Sequence, residues 1–227
     1  MSIETAKRAA ALAAAALIQD RQIVGLGSGS TARLFIEALA ERCRNGLTIQ
    51  AVASSQNSAD LAEQLGIPLI ALNEAPYVDL VVDGADEIDP LKRMIKGGGG
   101  AHVREKILAA AAREMIVIVD ETKLVPALGK HKLPVEILTY GAPSTRAKIE
   151  HLGYRGSWRL QRDGSFFTTD NHNFLFDIQF EDLLHNPEEH HEKISKIPGV
   201  VDTGFFFHLA GRVIVGTFDG ALRPFSV

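Results

Sequence analysis

Ile23-Val24-Gly25-Leu26-Gly27-Ser28-Gly29-Ser30-Thr31 sets a short apolar strand directly against a turn of glycines and hydroxyls. Ala32 to Ala40 follow with Leu34, Phe35, Ala38 and Leu39 at helical spacing, so the stretch reads strand, glycine loop, helix. In an open α/β sheet such a loop sits at the C-terminal end of a strand and at a helix entrance, where unpaired backbone amides point outward. Those amides, with the hydroxyls of Ser28, Ser30 and Thr31, suit a phosphate monoester on a small ligand. The stretch also fits the dinucleotide pattern G-x-G-x-x-A through Ala32. A nucleotide-binding oxidoreductase further needs an acidic residue at the end of the second strand, and that strand ends in Ala53-Ser54-Ser55.

Outward from this unit the alternation continues. Residues 3 to 18 form an alanine-rich helix with Lys7 in its early turns, Leu47 to Ala53 a strand, Ser54 to Leu65 a helix capped by Ser54 or Ser55, and Ile67 to Leu72 a strand. Val78 to Asp83 is an apolar strand ending in the acidic turn Gly84-Ala85-Asp86-Glu87-Ile88-Asp89-Pro90, and Met115 to Asp120 is a buried strand ended by Glu121-Thr122-Lys123. Between them lies Lys96-Gly97-Gly98-Gly99-Gly100-Ala101-His102-Val103-Arg104-Glu105-Lys106, glycines that open a helix running to Arg113. Glycine loses more backbone freedom on folding than other residues, so four in succession imply that a bare backbone is needed. The expectation is an anion or oxyanion site, bracketed by Lys96 and by Glu105 in the early turns of the helix.

From about Lys130 the texture changes. Val135 to Thr139, Trp158 to Gln161, Phe166 to Thr169, Phe174 to Phe180 and Val200 to Phe207 read as strands, and Pro143 to Leu152 and Pro187 to Ile197 as helices, with Asp170-Asn171-His172-Asn173 as a turn. That order matches a split βαβ unit. Arg212 to Gly216 is apolar enough to return to the first sheet. The fold class is therefore α/β, a Rossmann-like mostly parallel sheet with helices on both faces plus a smaller ferredoxin-like α+β domain. The expected boundaries are 1–130 with 205–227 for the first domain and 131–204 for the second.

At 227 residues, 46% hydrophobic, the chain buries a proper core. A formal net charge of -4 gives no extended nucleic-acid footprint, and the longest apolar run, Ala9 to Ile18, is too short to span a bilayer. The single cysteine, Cys43, excludes an internal disulfide and fits a reducing compartment. No GK[ST] follows the glycines and no GxSxG elbow occurs. His190 and His191 lack HExxH spacing and read as part of an exposed polar helix face. The acidic turn could ligate a metal by its oxygens, stand solvated, or bond sugar hydroxyls; the last reading agrees with the other two loops at strand ends.

Gly27-Ser28-Gly29-Ser30-Thr31, Asp83-Gly84-Ala85-Asp86-Glu87, Lys96-Gly97-Gly98-Gly99 and Arg104-Glu105-Lys106 resemble, in order and spacing, the type A ribose-5-phosphate isomerase family. Pro134-Val135-Glu136, Thr169-Asp170-Asn171, Ile197-Pro198-Gly199-Val200 and Gly216-Thr217-Phe218-Asp219-Gly220 extend the resemblance over nearly the whole chain. Ser28 stands where the family often has threonine, keeping the hydroxyl; Gly100-Ala101-His102 and the C-terminal Leu222-Arg223-Pro224-Phe225-Ser226-Val227 depart from its pattern. The resemblance implies a cytoplasmic homodimer or homotetramer that interconverts D-ribose 5-phosphate and D-ribulose 5-phosphate without cofactor or metal. It makes Glu105 the proton acceptor; the chemistry of an aldose-ketose isomerisation then assigns Lys96 to the enediolate oxygens and Asp83 or Asp86 to hydroxyl proton transfer. Ser28, Gly29, Ser30, Thr31, Asp83, Gly84, Ala85, Asp86, Lys96, Gly97, Gly98, Gly99 and Lys123 would contact the sugar phosphate, with Lys7 as a further phosphate ligand. A noncatalytic sugar-phosphate sensor, a nicotinamide-dependent oxidoreductase and a metal-dependent isomerase using the Asp83 to Asp89 cluster are the competing readings.

Overall fold

Among residues 2–225, which the computed structural model describes, the helices are α1 (Ile3–Ala16), α2 (Ser30–Arg44), α3 (Gln56–Gln64), α4 (His102–Ala111), α5 (Ala142–His151) and α6 (Pro187–Ser195). The strands are β1 (Ile23–Leu26), β2 (Gln50–Ala53), β3 (Leu80–Asp83), β4 (Glu87–Ile88), β5 (Met94–Ile95), β6 (Met115–Asp120), β7 (Leu133–Ile137), β8 (Arg155–Trp158), β9 (Phe174–Gln179), β10 (Val200–Thr203), β11 (Phe205–Phe206), β12 (Ala210–Gly216) and β13 (Leu222–Arg223). Ser226 and Val227, the end of the divergent C-terminal segment, lie outside the described residues. The chain divides into two compact units, residues 1–85 with 104–124 and 208–227, and residues 86–103 with 125–207. Segment 86–103, grouped with the first domain in the sequence-based boundaries, makes its contacts in the second unit, because β5 pairs with β11 and β4 pairs with β5.

The first unit is built on a six-stranded sheet of order β13-β12-β6-β3-β1-β2, parallel except for β13. Period-two alternation divides its faces. Val24, Leu26, Leu80, Val82, Ile116 and Ile118 share a core with Phe35, Ile36 and Leu39 of α2 and the alanines of α1. Each large apolar side chain withdrawn from water there contributes on the order of 1.5–3 kcal/mol. Gly25 and Val81 turn to the opposite face, where an added Cβ on Gly25 would lie 2.8 Å from Val81 and 3.2 Å from Leu108 of α4. Helices therefore cover both faces.

Tertiary contact also assigns the face of α1 that its composition leaves open. Ala6, Ala10, Ala11, Ala14 and Ala15 are buried, and Ser2 caps the helix by accepting from the Thr5 amide at 3.1 Å. Their small side chains let the helix backbone close on β12, which pairs in parallel with β6 as the apolar stretch Arg212–Gly216 suggests. The expected strand at Ile67–Leu72 is instead extended chain joined by one bridge, Ala51 to Leu69, and ends in a 3-10 turn at Leu72–Glu74.

In the second unit, β7, α5, β8, β9, α6 and β10 follow one another, and the antiparallel sheet has order β10-β7-β9-β8. This is the split βαβ arrangement. Leu133, Val135, Ile137, Phe176 and Ile178 face Ala142 and Ile149 of α5 and Ile194 of α6. Phe166–Thr169 forms isolated bridges rather than a strand, and the strand expected at Trp158–Gln161 lies earlier, at Arg155–Trp158. The turn at Asp170–Asn173 is held from inside by Glu136. Its Oε1 accepts from Thr169 Oγ1 at 3.1 Å, Asn171 Nδ2 at 3.1 Å and Asn173 Nδ2 at 2.8 Å. His190 and His191 do not form an exposed face. They are half-buried, Nδ1 of His190 meeting Tyr154 Oη at 2.9 Å and Nδ1 of His191 meeting Thr203 Oγ1 at 2.8 Å.

An added Cβ on Gly216 would lie 1.9 Å from the Ala6 carbonyl oxygen, a clash of backbone against backbone. Gly216→Ala is expected to lower stability by about 1–3 kcal/mol. Urea unfolding is the check, and an unchanged midpoint would mean that α1 does not seat on β12 in solution.

Candidate active site

In the first unit the site residues gather where β1 and β3 end. Asp83, the last residue of β3, is 1% exposed, and a carboxylate removed from water needs donors. It receives them from the backbone: Oδ1 accepts from the Ser28 amide at 3.0 Å and the Gly84 amide at 2.7 Å. Gly27 makes this approach possible, since a Cβ there would stand 2.2 Å from the Asp83 carboxyl carbon. Gly84 and Ala85 follow, half-buried.

Ser28 is held by its side chain as well. Its hydroxyl donates to Ser55 Oγ at 2.8 Å, Ser55 donates to Ser58 Oγ at 3.0 Å, and Ser58 donates to the Gly27 carbonyl at 2.7 Å. With its one proton so placed, Ser28 Oγ accepts from Ser54 Oγ at 2.9 Å. Ser28 thus shapes the loop, while Ser30 and Thr31 open α2, whose N-cap, Gly29 at φ 91°, supplies no side-chain cap to the first-turn amides. Lys7 Nζ donates to Ser30 Oγ at 2.9 Å, bringing a cation to those amides. The serine chain Ser54–Ser55–Ser58 is absent from the sequence-based expectations beyond a helix cap; three serines in a five-residue span were its only signal.

Two further groups of the first unit belong to the candidate set. Glu105, in the first turn of α4, is 5% exposed. Lys123 closes the 3-10 turn Glu121–Lys123 and is half-exposed; Asp120 caps this turn, Oδ1 accepting from the Thr122 amide at 3.0 Å.

In the second unit the acidic turn spreads its carboxylates instead of clustering them. Asp86 Oδ2 accepts from the Gly98 amide at 2.8 Å. Glu87 accepts from the amides of Gly129 at 2.8 Å and His131 at 2.5 Å, and Asp89 accepts from the Leu91 and Arg93 amides and pairs with Arg93 Nε at 2.6 Å. Glu87 and Asp89 are structural acceptors. Lys96 is 3% exposed, its ammonium 5.4 Å from the centre of the Phe206 ring, and its amide donates to the Gly204 carbonyl at 2.9 Å. Gly98 and Gly99 are exposed between two glycines with left-handed backbones, Gly97 at φ 101° and Gly100 at φ 85°. Neither of these has room for a side chain: a Cβ on Gly97 would lie 2.9 Å from His102 and one on Gly100 2.5 Å from Phe167. His102 is thereby a wall of the loop, buried, with Nε2 3.4 Å from the Asp202 carbonyl.

Charged side chains so withdrawn from water concentrate where chemistry is done, because desolvation strengthens their electrostatics. Asp83→Ala removes the acceptor of two amides, and a stability loss of roughly 1.5–3 kcal/mol is expected for each charged hydrogen bond. Faster hydrogen exchange at Ser28 and Gly84, read by NMR, would locate that loss; unchanged exchange would show that the bonds are not formed.

The family model for ribose 5-phosphate isomerase A (phosphoriboisomerase A) matches residues 50–220. Ribose-5-phosphate isomerase A of Protochlamydia amoebophila (strain UWE25) is 50% identical over 218 residues, covering 96% of this chain and 94% of that protein. The solved ribose 5-phosphate isomerase A of Methanocaldococcus jannaschii superposes with a TM-score of 0.91 at 38% identity, covering 98% of each chain. A D-ribose-5-phosphate isomerase solved in complex with phospho-erythronic acid superposes with a TM-score of 0.92 at 35% identity, again over 98% of each chain. Sequence and fold agree, and the chain belongs to the ribose 5-phosphate isomerase A family.

Proposed function

We infer that this chain interconverts D-ribose 5-phosphate and D-ribulose 5-phosphate, the isomerisation of the pentose phosphate pathway, and that Glu105 moves the carbon-bound proton. The observation that carries the assignment is a carboxylate 5% exposed, six residues after an exposed glycine pair, in a chain of this family. In the open-chain aldose the Glu105 carboxylate takes the proton from C2, the C1 carbonyl becomes an oxyanion, and an enediolate forms. Lys96 and the amides of Gly97 and Gly99 stabilise the charge that develops on oxygen, while the Gly98 amide stays on Asp86 and holds the loop. Glu105 then returns the proton to C1, while the C2 hydroxyl proton passes to the C1 oxygen with Asp83 or Asp86 as carrier. The sum is aldose to ketose with no change in atoms or net oxidation state, and the step uses neither cofactor nor metal.

Phosphate binding falls to Ser30, Thr31 and the first amides of α2, with Lys7 and Lys123 as cations and Ser28 and Gly29 as loop residues. The Lys7 to Ser30 bond and the uncapped start of α2 support this part. Binding the phosphate away from the reacting carbons converts remote affinity into placement of C1 and C2. No helix among the described residues is long and apolar enough to cross a membrane. A cytoplasmic location and a homodimeric or homotetrameric assembly complete the reading, carried by the family.

Glu105→Gln is expected to lower turnover by at least about a hundredfold with substrate affinity near normal, the signature of a lost general base. Loss of the C2 deuteron from labelled ribose 5-phosphate, followed by NMR with chelator-treated protein, is the direct measurement. Retention of most of the exchange rate by the variant would remove Glu105 from this role.

A further inference from the structure

We propose that Arg159 is a positioning residue for the glycine loop that stabilises the enediolate. The proposal rests on the reading of Lys96–Gly99 as the electrophilic element and adds what holds that element in its working shape. Arg159 follows β8. Its Nη1 donates to the Gly97 carbonyl at 2.9 Å and to the Gly98 carbonyl at 3.0 Å. Its other edge grips Asp177 of β9, Nε to Oδ2 at 2.9 Å and Nη2 to Oδ1 at 2.5 Å, with the two side chains 16% and 11% exposed. A bidentate carboxylate therefore fixes the guanidinium plane, and the fixed plane presents one nitrogen to two successive loop carbonyls.

Each carbonyl shares a rigid peptide plane with the next amide. Binding the Gly97 oxygen orients the Gly98 N–H, which donates to Asp86 Oδ2 at 2.8 Å, and binding the Gly98 oxygen orients the Gly99 N–H. A donor on the carbonyl also polarises the peptide, which strengthens the N–H on its far side. Untethered, consecutive glycines would sample many backbone states, and an oxyanion donor that wanders by an ångström loses most of its value. Phe167 completes the seat, 5.8 Å from the guanidinium carbon and directly against Gly100. Lysine cannot substitute, because a single ammonium has no fork to hold Asp177 and both carbonyls together.

The test compares wild type, Glu105→Gln, Arg159→Lys, the double variant Arg159→Met/Asp177→Leu, and Arg155→Met, an exposed arginine that opens β8. The double variant removes both charges and leaves no buried carboxylate unpaired, which guards the fold. Turnover and KM for ribose 5-phosphate, melting temperature and binding of phospho-erythronic acid are measured. The carboxylate of that acid resembles the enediolate's pair of oxygens. Arg159→Lys and the double variant should lose about 10- to 100-fold in kcat, with KM within about threefold and phospho-erythronic acid binding weakened about tenfold. Arg155→Met should match wild type. If both Arg159 variants keep kcat within twofold of wild type per folded molecule, whatever their melting temperatures, Arg159 is a structural pillar and the proposal falls while the isomerase reading stands. Should wild type itself fail to turn over ribose 5-phosphate, both fall; an active wild type with an inactive Glu105→Gln keeps the two questions separate.

Discussion

A carboxylate buried at the end of a parallel strand governs the first unit. Asp83 carries its charge at 1% exposure, and backbone amides of two loops, Ser28 and Gly84, compensate it. The compensation has a geometric condition, since the β1 exit must pass so close to Asp83 that residue 27 has no side chain. Once that contact exists, the glycine loop has one path. Ser28 is pinned by amide and hydroxyl, α2 starts at Ser30, and its first amides are displayed beside Lys7. An internal electrostatic requirement thus shapes the loop whose outer face we propose as the anion site.

The second unit treats its glycines differently. Gly97 and Gly100 have left-handed backbones and no space for a side chain, walled by His102 and Phe167. Gly98 and Gly99 remain exposed, which lets a ligand approach the backbone itself. Flexibility is what a run of glycines implies in isolation, yet here hydrogen bonds to Asp86 and from Arg159 take that freedom away. For the proposed oxyanion site this matters, because preorganised donors need no rearrangement as charge develops.

The acidic turn shows how one cluster in sequence becomes several jobs in space. Asp83 closes a strand in the first unit, Asp86 holds the Gly98 amide, Glu87 anchors the 129–131 backbone, and Asp89 knots its own hairpin with Arg93. Repulsion among neighbouring carboxylates is relieved because each turns to its own set of donors.

Sequence alone determined the alternating strands and helices of the first unit, the parallel sheet, the βαββαβ order of the second, and the loops at Gly27–Thr31, Asp83–Asp86 and Lys96–Gly99, since periodicity, glycine punctuation and family motifs are local along the chain. It also supplied Glu105, Lys96 and Lys7 as candidates. Only tertiary structure decided which alanines of α1 face inward, that Ile67–Leu72 and Phe166–Thr169 make bridges instead of strands, that His190 and His191 turn inward to Tyr154 and Thr203, and that Arg159 clamps a glycine loop 61 residues away. Strand pairing and side-chain hydrogen bonds between distant segments depend on which surfaces meet after folding, and no pattern of spacing within a single stretch encodes that partner.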